Sequence, residues 1–100
     1  MSMETILIRY RVRAEHLSEH LLLLRAVHEE VARVRPAGLR YVTLQLDDER
    51  SFVDIAMAPE LPGPLPGLES FRRYRPGLEN RCEERSTSGF TVLGSYGFGP

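Results

Sequence analysis

EHLSEHLLLLRAVHEEVARVR, residues 15–35, reads as one long amphipathic helix. Leu17, Leu21, Leu24, Val27, Val31 and Val34 recur three or four apart and form an apolar stripe, while Glu15, Glu19, Glu29, Glu30 and Arg33 fall opposite. A stripe of that length needs a sheet to rest on, so the rest of the chain must supply strands. His28 sits within the stripe, one turn after Leu24. No Ser, Thr, Asp or Asn stands just before Glu15 to cap the helix, and Pro36-Ala37-Gly38 ends it.

On the N-terminal side, residues 5–13 alternate, with Ile6, Ile8, Tyr10 and Val12 on one face and Leu7, Arg9, Arg11 and Arg13 on the other, a strand pattern. After the helix, residues 39–46 predict a second strand, with Val42, Leu44 and Leu46 opposite Tyr41, Thr43 and Gln45. Asp47-Asp48-Glu49-Arg50 is a polar turn, and residues 52–58 return as a third strand with Val53, Ile55 and Met57 sharing the inward face. Residues 59–67 hold four prolines and two glycines. They predict a constrained loop and a natural pocket rim. Residues 68–75 resume helical spacing through Leu68, Phe71 and Tyr74. Pro76 then opens a further helix to about Glu84, carrying Leu78 and Cys82 on its buried line. Residues 90–98 predict the last strand, with Val92 and Tyr96 inward.

The element order is β-α-β-β-α-β, the ferredoxin-like arrangement of an α+β domain with a four-stranded antiparallel sheet. One hundred residues make a single domain, 1–100. Helices cover one sheet face, and the other is expected to carry Leu7, Arg9, Arg11, Tyr41, Thr43, Gln45 and Phe52, a mixed surface suited to pairing with a second copy. The 13 basic and 14 acidic residues nearly balance, with no basic run for nucleic acid. The single cysteine excludes an intramolecular disulfide. No apolar run approaches the about 18 residues of a membrane span, and the N-terminal stretch has the wrong order for a signal peptide. The expected setting is cytoplasmic.

Four features are similar to the antibiotic biosynthesis monooxygenase-like group of dimeric α/β-barrel proteins. They are ILIRYRVR running directly into a long helix; Gly38-Leu39 leading to Tyr41-Val42-Thr43-Leu44 and a charged hairpin; LESFRRYR stopped by Pro76; and a closing stretch ending in Ser95-Tyr96. The resemblance implies a homodimer with sheets packed face to face, and a pocket in each subunit between helices and sheet. Some members of the group oxygenate polycyclic phenols without metal or flavin, and others degrade haem. This chain has no tryptophan, carries Arg72 where a histidine is often found, and holds its only asparagine, Asn80, in the later helix. These departures weigh against the haem-degrading branch.

The candidate site follows from these readings. His28 is the expected proton acceptor, a neutral imidazole able to take or orient a phenolic proton; the alternative is a core-edge histidine held by one partner. Tyr10, Phe71, Tyr74 and Tyr96 are expected to stack and orient a planar aromatic ligand, with Arg72 at the pocket mouth. Tyrosines packed amphipathically and a solvated arginine are the plainer readings. His16 and His20, one turn apart, have metal-capable spacing but no evident third ligand, so no metal or other cofactor is expected. The function read from this is a cofactor-independent monooxygenase-like oxidoreductase acting on a small phenol or quinol. The alternative is a non-catalytic homodimer that binds a small ligand or only assembles.

Overall fold

The computed structural model describes residues 3–98. β1 (Glu4–Val12) leads through a short 3-10 turn at Ala14–His16 into α1 (Leu17–Val34). β2 (Arg40–Gln45) and β3 (Ser51–Ala58) form a hairpin. A second 3-10 turn, α2 (Glu69–Tyr74), α3 (Leu78–Arg81) and β4 (Cys82–Ser88) complete the chain. The strands pair antiparallel in the order β2-β3-β1-β4, which is the ferredoxin-like α+β topology. Among the described residues no helix is long and apolar enough to cross a membrane.

α1 begins without a side-chain cap and ends at Arg35, which takes a left-handed conformation (φ 53°) and returns its N–H to Val31 O. Pro36 cannot continue the helix. The buried line of α1 is His20, Leu24 and Val27, centred on a different row from the predicted stripe. His20 has no exposed surface, whereas Val34 is half exposed and His28 lies at the stripe's edge.

β3 is turned over relative to the sequence reading. Phe52, Asp54, Ala56 and Ala58 are the buried set. Paired residues of antiparallel strands share a face, so the register places Tyr41 and Thr43 with Ala56 and Asp54 beneath the helices. Val42, Leu44, Val53 and Ile55 therefore share the outer face with Leu7. The predicted outer positions of Tyr41, Thr43, Gln45 and Phe52 are thus corrected; Phe52 instead stacks on Tyr10 in the core, 5.5 Å between ring centroids. Alternation fixes which residues travel together but not which set is covered, and here the covered set is the more polar one.

The C-terminal third also differs. α3 stops at Arg81, and the chain enters β4 at Cys82, which pairs with Val12 across a register shift. β4 (CEERSTS) is a polar edge strand, and edge strands of this kind carry no alternating signal. Beyond it, Phe90 is tied to Thr5 by two hydrogen bonds of 2.8 and 3.0 Å. Residues 90–98 form no strand, because β4 already occupies the edge of β1.

Candidate active site

Beneath α1 and α3, four side chains from four elements meet. β1 contributes Tyr10, β3 Asp54, α2 Tyr74 and α1 His20, all nearly inaccessible to solvent. Arg81, also buried, closes the group from α3. Room for its guanidinium comes from Gly77, where a Cβ would stand 2.6 Å from Nη1.

The hydrogen bonds run in one direction. Arg81 Nε–H donates to His20 Nδ1 at 3.3 Å. With Nδ1 accepting, the neutral ring carries its proton on Nε2, and that N–H donates to the Tyr10 hydroxyl at 3.1 Å. Tyr10 in turn donates to Asp54 Oδ1 at 3.3 Å, and Tyr74 donates to Asp54 Oδ2 at 2.8 Å. The two hydroxyls lie 3.0 Å apart, and Arg81 Nη2 is anchored on Tyr74 O at 2.6 Å. A buried cation is thus joined to a buried anion through two neutral groups, the donors along Arg81, His20 and Tyr10 each aimed toward Asp54.

Burial pushes the Asp54 carboxyl above the usual carboxylate range, against the pull of hydrogen bonds from Tyr74, Thr43 and Tyr10. Burial, followed by the positive charge of Arg81, lowers His20 to about 4, so it is neutral at physiological pH. Burial and then the Asp54 charge raise Tyr10 and Tyr74, which remain protonated donors.

Above this group opens a cavity of about 310 Å³, at the lower end of the range for small-molecule sites. Asp54, Tyr41 and Tyr74 reach its wall. The remaining lining is largely apolar, from Ile6, Ile8 and Ala56 on the sheet, Leu61, Pro62 and Leu65 on the proline-rich loop, and Phe71 and Leu78 on the helices. The loop read as a pocket rim therefore supplies part of the cavity wall. Small side chains make the space, Ala56 standing directly opposite Tyr41 in the β2–β3 ladder.

The expected site residues divide. Tyr10, Phe71 and Tyr74 come together, Phe71 and Tyr74 on the cavity wall and Tyr10 beneath it. His28 lies elsewhere: it is half-buried, stacks on Tyr41 with centroids 4.7 Å apart, and bonds the Thr43 hydroxyl at 2.8 Å. It faces a shallow groove between α1 and β2, and burial lowers its basicity. Arg72 is exposed and bonds Pro66 O. Tyr96, expected to face inward, is 96% exposed and outside the cavity. Both His20 nitrogens are engaged by Tyr10 and Arg81, while His16 turns toward Glu19 at 3.6 Å. Among the described residues no three His, Cys, Asp or Glu side chains gather as a metal set.

Sequence reasoning missed Asp54, His20 and Arg81 as members of this group. His20 was accessible, because it precedes Leu24 by one turn and Val27 by two on the same face. The one signal available for Asp54 is that it is a lone carboxylate inside an apolar strand, where aspartate is depleted.

No protein-family profile matches the chain, and no curated protein sequence matches it. Solved structures do. A protein from Bacteroides thetaiotaomicron named for the antibiotic biosynthesis monooxygenases superposes with a TM-score of 0.76 at 16% identity, covering 92% of this chain and 90% of its own. The fold is that of the antibiotic biosynthesis monooxygenase-like proteins. Rv0793 from Mycobacterium tuberculosis gives 0.72 at 17% identity, over 94% of this chain and 98% of its own. SnoaB from Streptomyces nogalater, a cofactor-independent oxygenase crystallised as a point mutant, gives 0.66 at 18%, over 97% and 99%. At these identities the likeness to the antibiotic biosynthesis monooxygenase-like group is one of fold.

Proposed function

We propose that the chain is a cofactor-independent monooxygenase-like enzyme acting on a small phenol or quinol held in the cavity above Asp54. The observation that carries this reading is the position of Asp54, a carboxylate of raised proton affinity at the floor of a largely apolar cavity. Such a carboxylate is a stronger base than one in water and is suited to taking a phenolic proton. Tyr74 and Tyr10 hold it in place, and the apolar walls exclude water from the resulting anion.

The chemistry balances without a bound redox group. Asp54 takes the hydroxyl proton, and the phenolate gives one electron to dioxygen. The radical pair combines at a ring carbon bearing hydrogen, and Asp54 returns its proton to the peroxide. Loss of water leaves a quinone, so one oxygen atom of dioxygen ends in the ring and the other in water. The chain's contribution is orientation, desolvation and proton handling. His28, outside the cavity, has no step in this scheme. The fold shared with SnoaB supports the reaction class.

The same reading includes a homodimer. Val42 and Leu44 are 44% and 46% exposed on the outer sheet face, beside Val53, Ile55 and Leu7, a patch suited to burial against a second copy.

The test is oxygen uptake with a panel of naphthols, together with mass analysis of products formed under isotopically labelled dioxygen. Wild type is expected to incorporate one labelled atom, and Asp54→Asn to bind the same naphthol with turnover reduced by about 10²-fold or more. The second reading, a ligand-binding protein without turnover, is favoured by the full engagement of both Asp54 oxygens. Binding without oxygen uptake in wild type would establish it in place of the enzyme.

A further inference from the structure

Two arginines interrupt the apolar cavity wall, Arg75 just after α2 and Arg85 on β4. Arg85 is the cross-strand partner of Tyr10, which sets it on the helix-covered face of the sheet. One acid stands between them: Glu79 accepts from Arg75 Nη1 at 2.8 Å and lies 3.5 Å from Arg85 Nη1. One carboxylate shared by two guanidiniums leaves a surplus positive charge. Both arginine side chains are partly exposed, at 39% and 29%, whereas Asp54 is 6% exposed. The cavity is therefore polarised, with its negative group at the floor and its surplus cation at the rim.

The rim charges are not explained as partners of the floor. Asp54 is surrounded by hydroxyls, and the groups that act most on its protonation are its own burial, Tyr74, Thr43, Tyr10 and His28. Arg81 supplies the buried counter-charge through His20. Arg75 and Arg85 are thus available to something entering the mouth, and guanidinium groups suit planar carboxylates.

Resting on the reading of this cavity as a phenol site, we infer that its ligand is a hydroxylated aromatic acid, bound with the hydroxyl on Asp54 and a carboxylate at the opposite end on Arg75 and Arg85. A neutral phenol would fill the same apolar space and leave the rim unused. An aromatic acid lacking the hydroxyl would reach the rim and leave Asp54 unengaged.

The test compares 6-hydroxy-2-naphthoic acid, 2-naphthol and 2-naphthoic acid, titrated against the full chain and followed by ligand fluorescence, which the tryptophan-free protein leaves clear. The hydroxy acid is expected to bind about tenfold tighter than 2-naphthol. Added salt should shrink that preference, and the Arg75→Gln/Arg85→Gln double variant should bring it near parity. Equal affinities in wild type, or a preference untouched by both salt and the double variant, would overturn the assignment while leaving the phenol site intact. Failure of all three to bind would remove the phenol site and this inference with it. Should the double variant not fold, the salt dependence of the two wild-type affinities decides: it is expected to be steep for the acid and flat for the naphthol, and equal slopes overturn the inference.

Discussion

Under the helices, the sheet presents Tyr10, Asp54, Tyr41 and Thr43. On its other side β2 and β3 present Val42, Leu44, Val53 and Ile55, while β1 presents Leu7 together with Arg9 and Arg11. On the β2–β3 hairpin the more polar set is the covered one, the reverse of the usual plan, whereas β1 keeps that plan with Ile6, Ile8 and Val12 covered. The covered face tolerates polarity because its charged and hydroxyl groups are paired with one another. The open face of the hairpin is apolar, which suits the second copy proposed above. The contrast shows that polarity alone does not keep a residue from being covered; the pairing of its polar groups decides.

Removing the buried cation should break this contrast most strongly. Arg81→Met leaves His20 Nδ1 and Tyr74 O without their donor and the Asp54 charge uncompensated. The expected loss is about 3–5 kcal/mol in urea unfolding, and a loss under 1 kcal/mol would show that the network does not behave as a unit.

Acid should come next. His20 has a folded value near 4, below its unfolded 6.5, so the unfolded chain binds the proton first and stability falls as pH drops from 6.5 to 4. The full loss is of order 3 kcal/mol. Asp54 acts oppositely: its folded value is raised, so the native chain holds that proton more tightly and gains as pH falls toward the ordinary carboxylate value of 3.8. Thermal melts between pH 7 and pH 4 should therefore be steeper in Asp54→Asn than in wild type. A shallower slope in the variant would reverse the assignment.

Smaller still is Tyr10→Phe, which deprives His20 Nε2–H of its acceptor and Asp54 Oδ1 of a donor. About 1–3 kcal/mol is expected by the same unfolding measurement. Leu44→Lys, on the other face, should alter the unfolding energy of a single chain by only about 0.5 kcal/mol. Its effect should instead be on assembly, moving the sedimentation mass from twice the 11.4 kDa chain mass toward one chain. Wild type sedimenting as a monomer would leave the open face without the partner proposed for it.

How far the fold could be read from sequence follows the same division. The long helix, the β2–β3 hairpin and the helix pair around Pro76 were legible because periodicity and turn residues are local signals. The facing of β2 and β3 was not, since alternation is symmetric and a rule that apolar means inward picks the wrong set here. β4 escaped because a polar edge strand resembles a loop, and residues 90–98 drew the strand assignment through Phe90, Val92 and Tyr96. In the site, Tyr10, Phe71 and Tyr74 were legible as aromatics on predicted inner faces. Asp54 and Arg81 were not, because a charge is read as exterior until its buried partner is known, and that partner is distant in sequence.

The proline-rich loop has a consequence for how such a protein can change over time. Leu61, Pro62 and Leu65 shape the upper wall, while Tyr10, His20, Asp54, Tyr74 and Arg81 sit on regular elements below. Mutations in residues 59–67 can therefore reshape the cavity without disturbing the buried hydrogen-bonded group. A lineage built on this plan can vary the shape of its cavity through one surface loop and inherit the buried network beneath it unaltered.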